Sequence, residues 1–187
     1  TRFTVAADGT PTFDRAFGLD VIPGGTTGFE NCTAASTCKD GLTLAQSDAA
    51  GLAAQNYSIE VGPDGRYFVS DYTTNRVDVF SRAADGTISF DQAFGADVIP
   101  GGGTGFETCT TVTGCKVGLE NGSAGSIGAA TGLTVAPSGA LYVVAEHDNR
   151  LSRYKPGPGG TFNFDYAYGY GVPGGTGPEI YNTTSQQ

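Results

Sequence analysis

Residues 13–25 read FDRAFGLDVIPGG and residues 90–102 read FDQAFGADVIPGG, so thirteen positions recur with changes only at Arg15/Gln92 and Leu19/Ala96. The copies start 77 residues apart in a chain of 187, and self-similarity at a fixed period is the signature of stacked structural units. Working outward from the second copy, residues 57–95 align with residues 131–169. Both divide into four short stretches of alternating polarity separated by turn chemistry at matching places. The turns are Pro63-Asp64-Gly65 and Pro137-Ser138-Gly139, Thr74-Asn75 and Asp148-Asn149, then Asp85-Gly86 and Gly159-Gly160. This spacing predicts a four-stranded antiparallel meander in each unit. Its apolar positions, Ile59/Val61, Tyr67/Val69 and Val77/Val79 against Leu133/Val135, Leu141/Val143 and Leu151, leave one meander with uncovered apolar surface, so the units are expected to stack on each other.

Composition agrees. Thirty glycines and nine prolines, among frequent Thr, Val, Tyr and Phe, describe short strands joined by tight turns, hence an all-β protein. A net charge of −9 excludes a nucleic-acid footprint, which needs clustered Lys and Arg. No apolar run approaches the roughly 18 residues of a membrane helix, so membrane insertion is not expected.

The pattern Gly-Leu-Thr-Val-x-Pro-x-Gly-x-Leu-Tyr-Val, followed by Asn-Arg and closing with Phe-Asp-x-Ala-Phe/Tyr-Gly, resembles the NHL repeat. Its units form blades of β-propellers, so the resemblance implies NHL-like β-propeller blades here. The recurring pairs Asn75-Arg76 and Asn149-Arg150 are its most specific part, with Asn expected in the turn and Arg bracing a neighbouring strand. The unit departs from the family in its length, because about 35 further residues separate one blade from the next. The chain then reads as the C-terminal half of a blade (1–18), a disulfide loop (19–56), a full blade (57–95), a second loop (96–130), a full blade (131–169), and a tail or edge strand (170–187). That is about two and a half blades, fewer than the four to eight of a closed propeller. The expectation is a segment of a longer chain, a ring of several chains, or units that add without closing and make a fibre.

Cys32 and Cys38, and Cys109 and Cys115, fall in the two inserts at identical spacing. Two local disulfides in an oxidising compartment are the natural reading, and a zinc site using all four thiolates fits the usual spacings less well. Asn31, Asn56, Asn121 and Asn182 open Asn-x-Ser/Thr sequons and are candidate glycosylation sites, in keeping with secretion. Val21/Ile22/Phe29 and Val98/Ile99/Phe106 can pack the inserts onto the chain's own blades or onto another molecule.

Catalytic chemistry is thin. His147 is the single histidine and lies in a turn whose counterpart is Thr73, with no Gly-x-Ser-x-Gly elbow to accompany it. Lyases resembling NHL propellers hold a metal through several histidines, which are lacking here. Glu60, Asp71, Glu146 and Asp148 form no recognised calcium pattern and read as surface or turn residues, and Tyr166, Tyr168 and Tyr170 line one face of a strand, read as packing ahead of a carbohydrate platform. No catalytic, cofactor or metal residue is assigned. The sequence points to a non-enzymatic secreted structural or interaction protein that partners copies of itself by strand addition, as an extracellular filament subunit. The alternative is a segment of a larger secreted propeller that binds protein or glycan.

Overall fold

The structure is a computed structural model that describes residues 1–43, 49–51, 55–170 and 178–182, with Tyr170 and the last five described by backbone alone. It is all-β and antiparallel. Three sheets follow one another along the chain. Sheet I holds β1 (Arg2–Val5), β2 (Pro11–Leu19) and β3 (Phe29–Cys32) in that order. Sheet II holds β4 (Asn56–Val61), β5 (Tyr67–Asp71), β6 (Arg76–Arg82), β7 (Ile88–Ala96) and β8 (Phe106–Cys109). Sheet III repeats it with β9 (Ala130–Val135), β10 (Leu141–Ala145), β11 (Arg150–Pro156), β12 (Phe162–Tyr170) and β13 (Pro178–Asn182).

The first four strands of sheets II and III are the meanders that the alternation predicts. The fifth strand of sheet II is a correction, because the insert is not loop throughout, whereas the fifth of sheet III falls in the stretch read as a tail or edge strand. Residues 106–109 turn back and pair with β7, Ala96 opposite Phe106 and Ala93 opposite Cys109. Residues 29–32 do the same on β2 in sheet I. Glu107 sets the return: its carboxylate accepts hydrogen bonds from the amides of Ile99 (2.9 Å) and Gly103 (2.6 Å), and Glu30 accepts from Ile22 (2.9 Å) and Thr26 (2.6 Å). The turn's backbone donors are thereby paired before the chain re-enters the sheet.

The recurring Phe-Asp-x is a β-bulge. Phe80 pairs with Phe90 and Val79 with Gln92, so Asp91 has no partner across the ladder. Asp14 and Asp165 are skipped in the same way in sheets I and III. One extra residue shifts the alternation, so Phe90 and Phe94 point to opposite faces although they stand an even number of positions apart.

Beyond β4, sheet II is covered on both sides. Phe68, Val77, Val79 and Phe94 pack against Leu141, Val143, Tyr154 and Phe162 of sheet III. On its other face Val69, Phe80 and Ile88 meet Phe17 and Phe29 of sheet I. This two-sided cover explains why β6 is buried from Arg76 to Phe80 without a break.

Candidate functional site

The Asn-Arg turns are structural anchors. Asn75 and Asn149 take φ of 51° and 50°, the left-handed conformation that Asn tolerates better than most residues. Gly95 and Gly169 follow from this: a Cβ on either would stand 2.8 Å from the carbonyl oxygen of Asn75 or Asn149. Arg76 is wholly buried, and reaches the inserts rather than a neighbouring strand. It donates to the carbonyls of Lys116 and Ala49, both at 2.8 Å, and its Nε donates to Asp78 Oδ1 at 3.0 Å. Arg150 likewise donates to Gly122 (2.9 Å), Ser123 (2.7 Å) and Ser126 (2.8 Å). The guanidinium fork suits this task because several carbonyls can be held at once in a fixed plane.

Buried carboxylates surround these arginines. Burial pushes the Asp78 carboxyl above the usual carboxylate range, against the opposing pull of Arg76. Asp78 also accepts from the Gly51 amide at 2.8 Å. Asp71 accepts from the amides of Thr73 (3.0 Å) and Thr74 (3.2 Å), and Asp148 from the amide of Gly128 (2.9 Å). Asp71 and Asp148 are thus turn and loop anchors, set deeper than surface duty would put them. Among the described residues no group of three or more His, Cys, Asp or Glu side chains is placed to hold a metal ion.

Disulfides join Cys32 to Cys38 and Cys109 to Cys115. The second is buried with Ala50, Ala93 and Val98. Each insert is also pinned by an ion pair, Lys39 to Asp20 at 2.7 Å and Lys116 to Asp97 at 2.8 Å. Val21 and Val98 are buried, Phe29 stacks on Phe80, and Phe106 stacks on Tyr154, so these insert residues pack on the chain's own sheets.

The sequon asparagines differ among themselves. Asn31 is half-buried, with its amide donating to the Ile88 carbonyl (2.6 Å) and accepting from the Ile88 amide (2.9 Å), so it clips sheet I to sheet II. Asn56 is exposed at the start of β4. Asn121 is exposed, and its carboxamide bridges Thr104 and Ser123. Asn182 ends β13, and its side chain lies outside the described residues.

His147 is half-exposed between Glu120 (3.0 Å from Nδ1) and the Tyr72 hydroxyl (3.2 Å from Nε2). Its hydrogen bond to Glu120 holds the imidazole above its ordinary pKa.

One cleft lies beside the half-blade read at residues 1–18, where two of a blade's four strands are wanting. It is a groove of about 500 Å³ between β1 and the inner strands of sheet II, floored by Tyr57, Ile59, Tyr67, Val69 and Phe80, with Asp78 at its depth. Among the described residues β1 has β2 as its sole strand neighbour, so the inner edge of sheet I is open.

Compared with protein-family models and with curated proteins, the chain matches none.

Proposed function

We propose that this chain is a non-enzymatic extracellular structural protein built of NHL-like propeller blades, about two and a half of them, that works by assembling with copies of itself as a filament subunit. The observation that carries this reading is a contrast between equivalent positions. Leu133 in β9 is 8% exposed because β4 and β5 cover it, whereas Ile59, its counterpart in β4, is 56% exposed beneath the groove. An apolar sheet face beside an open strand edge is a template for strand addition, which satisfies backbone groups and buries apolar surface together. The two disulfides support an oxidising, extracellular setting, and no helix among the described residues is long and apolar enough to cross a membrane.

Electron microscopy of native material, with intact mass on the same sample, tests the proposal. Regular fibres whose subunit mass matches these residues are expected. Single particles of a heavier chain would overturn it in favour of a binding module within a larger propeller, whose protein or glycan ligand would then be sought at the inserts.

A further inference from the structure

Both internal joints between sheets use one aromatic arrangement. Between sheets I and II, Phe17 and Phe29 lie over Phe80 with ring centroids 5.7 and 5.5 Å away, and Phe90 backs Phe80 edge-on at 6.0 Å. Between sheets II and III, Phe94 and Phe106 lie over Tyr154 at 5.2 and 5.7 Å, and Phe164 backs Tyr154 at 5.9 Å. Each joint is thus a covering pair from one sheet on a receiving pair from the next.

A third receiving pair exists. Phe3 and Phe13, edge-on at 6.0 Å, hold in sheet I the places of Phe80 and Phe90. They face away from sheet II, because Arg2 and Arg15, on the opposite side of the same strands, reach Gly86 and Asp85 of its hairpin. Phe3 is 56% exposed, whereas Phe80 and Tyr154 are 4% and 0% exposed. The covering position is likewise repeated on the outer face of sheet III. There Tyr168 stands where Phe94 stands in sheet II, and is 48% exposed against 0%. Beside it Tyr166, under the Arg153 guanidinium at 5.5 Å, takes the place from which Gln92 donates to the Gly160 carbonyl of the next sheet at 2.7 Å.

We infer that Tyr168 of one copy packs on Phe3 and Phe13 of a second copy, so that the joint made twice inside the chain is made a third time between chains. The occupant follows from the repeat itself, since Phe3 and Phe13 repeat the receiving pair and Tyr168 repeats the first member of the covering pair, with Pro178 at the register position of the second. Aromatic pairs of this kind add about 0.5–1.5 kcal/mol beyond the area they bury. This inference rests on the self-assembly reading above and assigns it a surface that adjoins the groove at Phe3, with Tyr168 lying apart from the groove.

The test uses the whole chain, with Phe3→Asp and Tyr168→Asp made separately, followed by sedimentation and electron microscopy across a concentration series. Each variant alone is expected to raise the concentration needed for assembly by about tenfold or more. Mixed in equal amounts they are expected to form a heterodimer, because the Phe3→Asp chain keeps Tyr168 and the Tyr168→Asp chain keeps Phe3. Circular dichroism checks the fold, and Phe3→Ala and Tyr168→Ala stand in if either charge disturbs it. Fibres that persist in both variants, or a mixture that stays monomeric, overturn the joint. If those fibres are lost instead in Ile59→Asp, the joint alone falls and assembly through the groove stands. A parent chain that is monomeric at every concentration overturns both.

Discussion

The joint between sheets II and III and the joint between sheets I and II are made of the same residue types at the same repeat positions, yet only the first is complete. Five strands face five in the one, so Leu133, Leu141 and Val143 are buried. In the other three strands face five, so the outer half closes around Phe17, Phe29 and Phe80 while Tyr57, Ile59 and Val61 stay exposed. The lesson is that burial in this protein belongs to the joint and not to the strand. Two strands of one design are core or surface according to what lies across from them.

The sharpest way to break that comparison is to shorten one side chain at equivalent positions. Leu133→Ala is expected to cost about 2–5 kcal/mol in denaturant unfolding, as large-to-small changes in a packed core do. Ile59→Ala in the dispersed chain is expected to change stability by about 0.5 kcal/mol or less, as exposed substitutions do. Equal losses would mean that the groove is closed in solution.

Next in size is the Arg76 anchor, which serves both joints by tying residue 49 and residue 116 to one strand end. Arg76→Met leaves the Asp78 carboxylate buried without its cation, and losing one partner of such a pair costs about 3–5 kcal/mol at neutral pH. The cost is partly relieved in acid. A carboxyl whose folded pKa is raised holds its proton better in the folded state, so stability falls as pH rises from the unfolded value near 3.9 towards the folded one. Without Arg76 the folded value rises further, and unfolding midpoints should show the variant less impaired at pH 5 than at pH 7.

Reducing the two disulfides tests the inserts. Each links cysteines six positions apart, and loops so short are worth about 2 kcal/mol apiece in the chain-entropy treatment. Thermal unfolding with and without reductant should show this modest loss, while the sheet signal in circular dichroism survives below the transition.

The smallest effect concerns His147, where the insert before sheet III meets the turn of sheet II. Proton NMR should place its midpoint above the ordinary value near 6.5, and Glu120→Gln should lower it. The bridge's contribution is complete below about 6.5 and fades as pH rises through the raised folded value.

Much of this architecture was legible because its signals are local. Pro-Asp-Gly, Thr-Asn and Asp-Gly mark turns through backbone preferences that hold wherever the chain goes, and paired cysteines at matched spacing mark the inserts. The fifth strand was hidden because Phe106–Cys109 is four residues long inside a glycine-rich run. Only the distant ladder on β7 and the Glu107 carboxylate make it a strand. The facing of Phe90 and Phe94 was hidden for a related reason. Simple alternation puts both on one side, and the skipped Asp91 is visible only in the register. The groove was legible only as a count, because residues 1–18 supply two of a blade's four strands, while its lining by Tyr57, Ile59 and Val69 shows only in the packing.

The bulge at Asp14, Asp91 and Asp165 has one more consequence. By sending the opening phenylalanine of the motif to one side and the aromatic residue four positions on to the other, it gives each sheet a front and a back that cannot be exchanged. A stack of such sheets is polar, like a file of arrows. Any fibre that repeats the internal joint would have two chemically different ends, one presenting Phe3 and the other Tyr168, and growth at one end could be stopped without touching the other.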